Sequence, residues 1–473
     1  MSEILTSYQE VDFLVPAQRF NIQFSYVSQR GLPFIREFTL RLIHLAPMSK
    51  HQVAGYLGLS SLEAEEAISD LVQRDELTLS DDGRLKLTEK AKGYFYALGE
   101  TPQLARIEET GAALNFDLAS FSCLGGDSSS TGWKAGVSLQ VDQTNQSNSQ
   151  QLVEKEFQLQ FDSILDKGLL KKSVAQNEKE RPSVYTVSSV KKMRQIPLRL
   201  RTEFRVTPDG GRIELEDFEE INSSEVVHQL ITDQLSSMVK PNNTIGLTRA
   251  MVQMGDEDTL KVFDSASNQI SPKYLLDLNR LEEHESKGRE TFLGPIYTRD
   301  NWGRLIRLLE PVVEKRIKSK QDFGGERFVW LAPSDPFWGK SEQLPSCMSY
   351  LINKATTKKK VLFEPTIYVP INGSDDSRTA RQWKNSLSGV TKYMRGIVEG
   401  FMDGNVELLY LENEFVVVVY HFSQPEKLPV SIPVGFVSTE QETVAKVGKL
   451  LLDYVDGSSS FDKPNDCGLI NSF

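Results

Sequence analysis

Paired cysteines are missing from this chain. Cys123, Cys347 and Cys467 are an odd number, lie far apart and have neither disulfide-framework nor metal-ligand spacing. That excludes a small disulfide-stapled module and a thiolate metal centre, and it fits a reducing compartment. Histidine is scarce too: His44, His51, His228, His284 and His421 stand singly, none with a partner at the spacing of a dyad or a metal site. No cofactor is expected. No apolar run approaches the ~20 residues that cross a bilayer. The opening MSEILTSYQEVDF is acidic, without a basic region leading into an apolar one, so a cytoplasmic location and no membrane contact are expected. Positive charge is also short. A net charge of -11 and a pI near 5.3 argue against coating nucleic acid through a global field, which leaves regional contact only.

What is present is ordinary globular composition, 39% hydrophobic and 25% charged over 473 residues. That length exceeds one core and predicts two to four domains. After an N-terminal segment, 1–29, GLPFIREFTLRLIHLAP places Phe34, Ile35, Phe38, Leu40, Leu42, Ile43 and Leu45 at helical spacing. Ser49 can cap a second helix carrying Val53, Ala54 and Leu57, and Gly58 turns the chain. A third helix starts at Ser60 or Ser61, with Leu62, Ala67, Ile68, Leu71 and Val72 expected inward. Leu77 and Leu79, a turn at Asp82-Gly83, then Leu85 and Leu87 alternate as a hairpin. This order resembles a winged helix-turn-helix domain over 30–98, which implies a third helix reading DNA. That helix, however, carries Glu63, Glu65, Glu66 and Asp70 against Arg74, and carboxylates oppose a polyanion. Lys50, His51, Arg84 and Lys86, with Lys90 and Lys92, put positive charge on the second helix and the wing, so DNA and protein contact are both open.

The middle region, 99–290, reads as loop-rich mixed α/β. SCLGGDSSSTGW and QVDQTNQSNSQQ have loop composition, and the first lacks the Lys-Ser/Thr ending of a phosphate loop. PSVYTVSSV and LRLRTEFRVT alternate as strands. Lys191, Lys192, Arg194, Arg199 and Arg201, with Arg205, form a basic cluster, followed by the acidic run Glu214, Glu216, Asp217, Glu219 and Glu220. Blocks so close are commonly a self-compensating surface, but the cluster is a candidate for phosphate contact.

From about 291 to 473, apolar strands alternate with amphipathic helices, the pattern of a layered α/β sheet. VELLYLE, NEFVVVVYHF and PVSIPVGFV are three of its strands, and RQWKNSLSGVTKYMRGIVEGF reads as one helix. Lys315, Arg316 and Lys318, and Lys358, Lys359 and Lys360, form basic runs that fit either a phosphate backbone or helix ends. LAPSDPFWG would leave Phe337 and Trp338 exposed unless it packs on a partner or another domain. The order of the last strands is similar to the catalytic half of the phospholipase D-like nucleases. With Tyr420 in that family's aromatic position, Val416 and Val418 fall where the family's His and Lys stand, and Ser423 falls where its Asp stands. Gly435 matches the family's Gly, and Ser438 takes the Asn position. Valine neither attacks phosphorus nor binds a phosphoryl oxygen, so the resemblance implies a pseudo-nuclease.

The expectation is therefore an α+β multidomain chain that is no enzyme: a nucleic-acid- or partner-binding subunit of a complex, working with a nuclease, helicase or ATPase. The resemblance implies an accessory role in bacterial defence against phage or plasmids. The alternatives are a winged-helix transcription regulator, or a hydrolase with a site assembled from His421, Asp403 and Glu407.

Overall fold

The computed structural model describes residues 6–97, 102–125, 135–175, 181–207, 218, 221, 224–261, 263–264, 269–270, 288–373, 375–398, 401–457, 468 and 470. Glu214, Glu216, Asp217, Glu219, Glu220, His284, Cys467 and the Gly/Ser run after Gly125 lie outside them. The chain is α+β, with several sheets and helices packed around separate cores.

The stretch set apart in the sequence as an N-terminal segment is a strand, β1 (Thr6–Gly31), and it forms the spine of the first sheet. Its inward set, including Val11, Phe13, Val15, Phe20, Ile22 and Phe24, is buried. From Phe20 to Tyr26 the strand alternates apolar and polar, and only 13–17, FLVPA, is apolar on both faces.

Between β1 and the next strand that pairs with it lies a small module. Helices α1 (Phe34–Leu45), α2 (Lys50–Leu57) and α3 (Ser61–Gln73) are followed by a hairpin of β2 (Leu77–Leu79) and β3 (Arg84–Leu87). Capping boxes at Ser49 with Gln52 and Ser60 with Glu63 start α2 and α3, and Gly58 ends α2 at φ 66°. The module has its own core, including Leu40, Ile43, Val53, Ile68, Leu71, Leu85 and Leu87. Two residues expected inward on α3 are instead exposed, Leu62 at 74% and Val72 at 46%. Ala64, Ile68 and Leu71 define the buried stripe, and Leu62 and Val72 lie off it.

The chain then returns as β4 (Gln103–Asp117), which pairs antiparallel with β1 from Ala17↔Asp117 to Gly31↔Gln103. The module is thus an insertion at the end of the β1–β4 pairing, about 50 Å of paired backbone at ~3.3 Å per residue, which β5 flanks as far as Val27↔Ser183. The stretch QVDQTNQSNSQQ, expected as loop, is largely helical: Asp142 caps one turn through Thr144 N, and α4 (Ser149–Leu159) follows. The two segments expected as separate strands are one, β5 (Ser183–Val206), on the other side of β1. Register shifts at Gln18/Phe20, Gln23/Phe24 and Ser25/Tyr26 mark irregularities along this pair, which twist the edge and discourage pairing with another chain.

The second sheet has seven strands. In chain order they are β6 (Arg289–Leu293), β7 (Arg327–Leu331), β8 (Glu364–Ile371), β9 (Met394–Val398), β10 (Val406–Leu411), β11 (Phe415–Phe422) and β12 (Ile432–Ser438). Their spatial order is β6-β12-β11-β10-β7-β8-β9, parallel among β7, β8 and β9 and antiparallel elsewhere. β9 corrects the single helix expected from Arg381 to Phe401: that helix stops at Ser386, and MRGIV pairs beside β8. One face of this sheet, with Val416, Val418, Tyr420 and Phe422, shares a continuous core with the first sheet. The other, with Phe415, Val417 and Val419, packs under α5 (Arg299–Lys318) and α6 (Gln343–Lys354).

Candidate functional site

The best-defined polar constellation lies at the end of the valine strand. Alternation along β11 turns His421 to the face of Val417 and Val419, and Glu407 of β10 shares that face. His421 is 3% exposed. Its Nδ1 lies 2.8 Å from Asp335 Oδ2 and its Nε2 3.1 Å from Glu407 Oε2. Asp335 comes from LAPSDPFWG, just after β7. Trp330 and Trp338 both donate their indole N–H to Glu407 Oε1, at 2.8 and 2.9 Å. Ser431 donates to Asp335 at 2.5 Å, and Gln9 of β1 donates to Ser431.

Electrostatically this is an imidazolium between two carboxylates. Burial opposes a charged ring, but the ring's hydrogen bonds to Asp335 and Glu407 and the charge of those carboxylates outweigh it and hold His421 up at about 9. Burial likewise works against ionised Asp335, and the bond and charge of His421 override it to keep that carboxyl below its ordinary range. Both ring nitrogens therefore donate. The chemistry of proton transfer is present, but access is not: the adjoining cavity holds about 20 Å³, roughly one water. The cluster is a buried clasp joining β1, the loop after β7, β10, β11 and the approach to β12.

His421 is accordingly central to the packing and not incidental. Of the alternative trio, His421 and Glu407 meet and Asp403 does not; it lies in a turn at φ 57° with its carboxylate beside Gly246. Of the two expectations for Phe337 and Trp338, packing on a partner or on another domain, the loop packs within its own chain: they are 2% and 1% exposed, with Phe337 in the core shared with the first sheet. The available signal was Glu407, a lone carboxylate in an otherwise apolar strand, which burial obliges to find donors.

The positions matched to the nuclease motif are filled or tied up. Val416 and Val418 are fully buried. Ser423 donates its backbone N–H to Asn243 Oδ1 at 2.9 Å and its hydroxyl to Lys240 O at 2.7 Å. Ser438 Oγ accepts from Glu440 N ahead of the last helix. A Cβ at Gly435 would sit 2.6 Å from Phe292 and 2.7 Å from Val418 O. Beside them Tyr420 donates to Asp256, which Arg289 also binds at 2.6 Å while stacking on Phe436.

The basic candidates do not gather into one surface. Arg199 is an internal residue, paired with buried Asp12 at 2.7 Å, and Arg201 pairs with Glu342. Arg316 is 1% exposed, held by Glu326, Glu414 and Leu362 O. These two arginines are removed from any nucleic-acid surface by ion pairing inside the fold. Lys360 caps the end of α5 through Arg316 O and Ser319 O, and Lys192 donates to Gln146 O. Lys50 pairs with Glu65, Arg84 with Asp82 and Lys318 with Glu314. His51, Lys86, Lys191, Arg194, Lys315, Lys358 and Lys359 are exposed. Burial pushes the thiols of Cys123 and Cys347 up to about 12. Among the described residues no cluster of metal-ligating side chains occurs, and no helix is long and apolar enough to cross a membrane.

No protein-family model matches the chain, and no curated protein matches it. Among solved structures the chain is similar to TrmBL2, an archaeal chromatin protein described as showing a novel mode of DNA binding, at 10% identity over 50% of this chain and 71% of that one. The TM-score is 0.21, too low to define a shared fold, and no functional statement about this chain rests on it.

Proposed function

We propose that the chain is a non-catalytic binding subunit and that the inserted three-helix module, read as a winged helix, is its contact end for a protein partner. One observation carries this reading. Phe34, Ile35, Leu45, Tyr56, Leu62, Val72, Leu79 and Tyr96 are all large, apolar and 44–78% exposed, and all lie on that one module at the end of the β1–β4 pairing. Apolar side chains gathered so densely mark an interaction surface, and the acidic face of α3 beside them disfavours DNA. The same proposal takes the seven-stranded sheet as a phospholipase D-like fold whose chemistry has been replaced by hydrocarbon at Val416 and Val418, and the chain as an accessory subunit of a bacterial defence complex.

A second reading, regional DNA contact, is favoured by Lys191 and Arg194, which are exposed on β5 beside the Gln18/Phe20 register shift and make no ion pair among the described residues. Affinity purification of the full chain beside Phe34→Ser/Leu62→Ser, with a salt-dependent gel-shift series on duplex and single-stranded DNA, separates the two. The expected result is a partner held at fixed stoichiometry, lost from the variant, and no shift at low salt. A shift abolished by Lys191→Ala/Arg194→Ala with no retained partner would overturn the protein reading.

A further inference from the structure

We propose that a cavity of about 690 Å³ between β5, α5 and α6 is a binding site for a small planar aromatic carboxylate. Its volume falls in the range of pockets for drug-sized ligands, and it lies where α5 and α6 meet Arg199 of β5. Trp302 and Tyr350 line it, with ring planes at 82° and centroids 6.2 Å apart, which gives a flat ligand a stacking face and an edge.

Two donors at the site await an acceptor. Trp330 and Trp338 give their indole N–H to Glu407, and Trp383 gives its own to Pro370 O. The Trp302 N–H meets no acceptor among the described residues and is open to solvent, on a side chain that lines the cavity. Arg299, at the first turn of α5, lines the same cavity and makes no ion pair among the described residues. The other charged lining groups are Arg199 and Glu342, and Glu342 is balanced by both Arg199 and Arg201. The site therefore offers positive charge and an N–H beside aromatic walls. A carboxylate meets the charge and the donor, and its ring meets the walls.

Isothermal titration of the full chain with 2-naphthoate, beside the neutral 2-naphthamide, tests this. Saturable binding at one site is expected for the carboxylate, with the amide weaker. Arg299→Gln alters an exposed side chain and is expected to weaken naphthoate about tenfold, the worth of one charge-assisted hydrogen bond. Ser346→Trp, placed on the exposed rim, is expected to abolish binding with an unchanged thermal transition. No saturable naphthoate binding, equal affinity for amide and carboxylate, or full affinity in a folded Ser346→Trp would each overturn the assignment.

Discussion

Replacing His421 by Gln tests the clasp most directly, because pH supplies a second, independent handle. The imidazole titrates at about 9 in the folded chain against 6.5 when free; at ~1.4 kcal/mol per tenfold change in proton affinity, that rise is worth roughly 3 kcal/mol. The sign follows from which state holds the proton. Below 6.5 both states are protonated and the stabilisation is complete. Between 6.5 and 9 the unfolded chain gives up its proton while the folded chain keeps it, so stability falls as pH rises and the contribution is gone above 9. His421→Gln leaves Asp335 and Glu407 facing one another without a cation, at a cost of about 3–5 kcal/mol at pH 6. The gap between native and variant should therefore narrow by roughly 3 kcal/mol by pH 10. A multidomain chain need not unfold in one step, so urea unfolding is best followed by tryptophan fluorescence, since Trp330 and Trp338 donate directly to Glu407. Subtracting the variant at each pH removes the titration of groups remote from the site. A gap that stays constant from pH 6 to 10 would refute the charged-ring account.

Three further outcomes are expected. Arg316→Met should cost roughly 2–4 kcal/mol in urea unfolding, because Glu326 and Glu414 lose the guanidinium between them. Gly435→Ala should cost about 1–3 kcal/mol by overpacking, since the added methyl would meet Val418 O, a backbone atom that cannot swing aside. Excising 32–102 and joining Gly31 to Gln103 through an Asn-Gly turn should leave a folded body with an unchanged His421 pH profile, because β1 and β4 already pair at those two residues. Loss of the body's cooperative transition would show that the module supports it.

The module's helices and hairpin were legible because they are local: caps at Ser49 and Ser60, a Gly58 turn and alternation around Asp82-Gly83 each act within a few residues. Which face of α3 is buried was not, since Leu62 and Val72 are as apolar as Leu71 and differ only in what lies opposite. β1, and the joining of two expected strands into the single β5, escaped notice for a different reason. Their partners are remote in sequence, as in Thr6↔Val206, and nothing near residue 6 encodes that pairing. In the candidate site, Glu407 and His421 could be singled out as polar groups in apolar strands. Asp335 could not, because its loop carries ordinary turn chemistry and reaches His421 only through the crossing from β7 to β10.

The site is also tied to the module through β1. β1 carries Gln9, which binds Ser431 beside Asp335 and His421, and the same strand runs without a break to Gly31, where the module begins. A strand buried on both faces cannot slip one residue without turning its whole inward set to the opposite side, so Val11, Phe13 and Val15 fix β1 lengthwise against the body. What is left free is bending, and the register shifts between Gln18 and Tyr26 lie in the stretch between the anchored end and the module. Such irregularities raise the local twist of a strand pair, so the course of β1 toward the module turns between the buried anchor and Gly31.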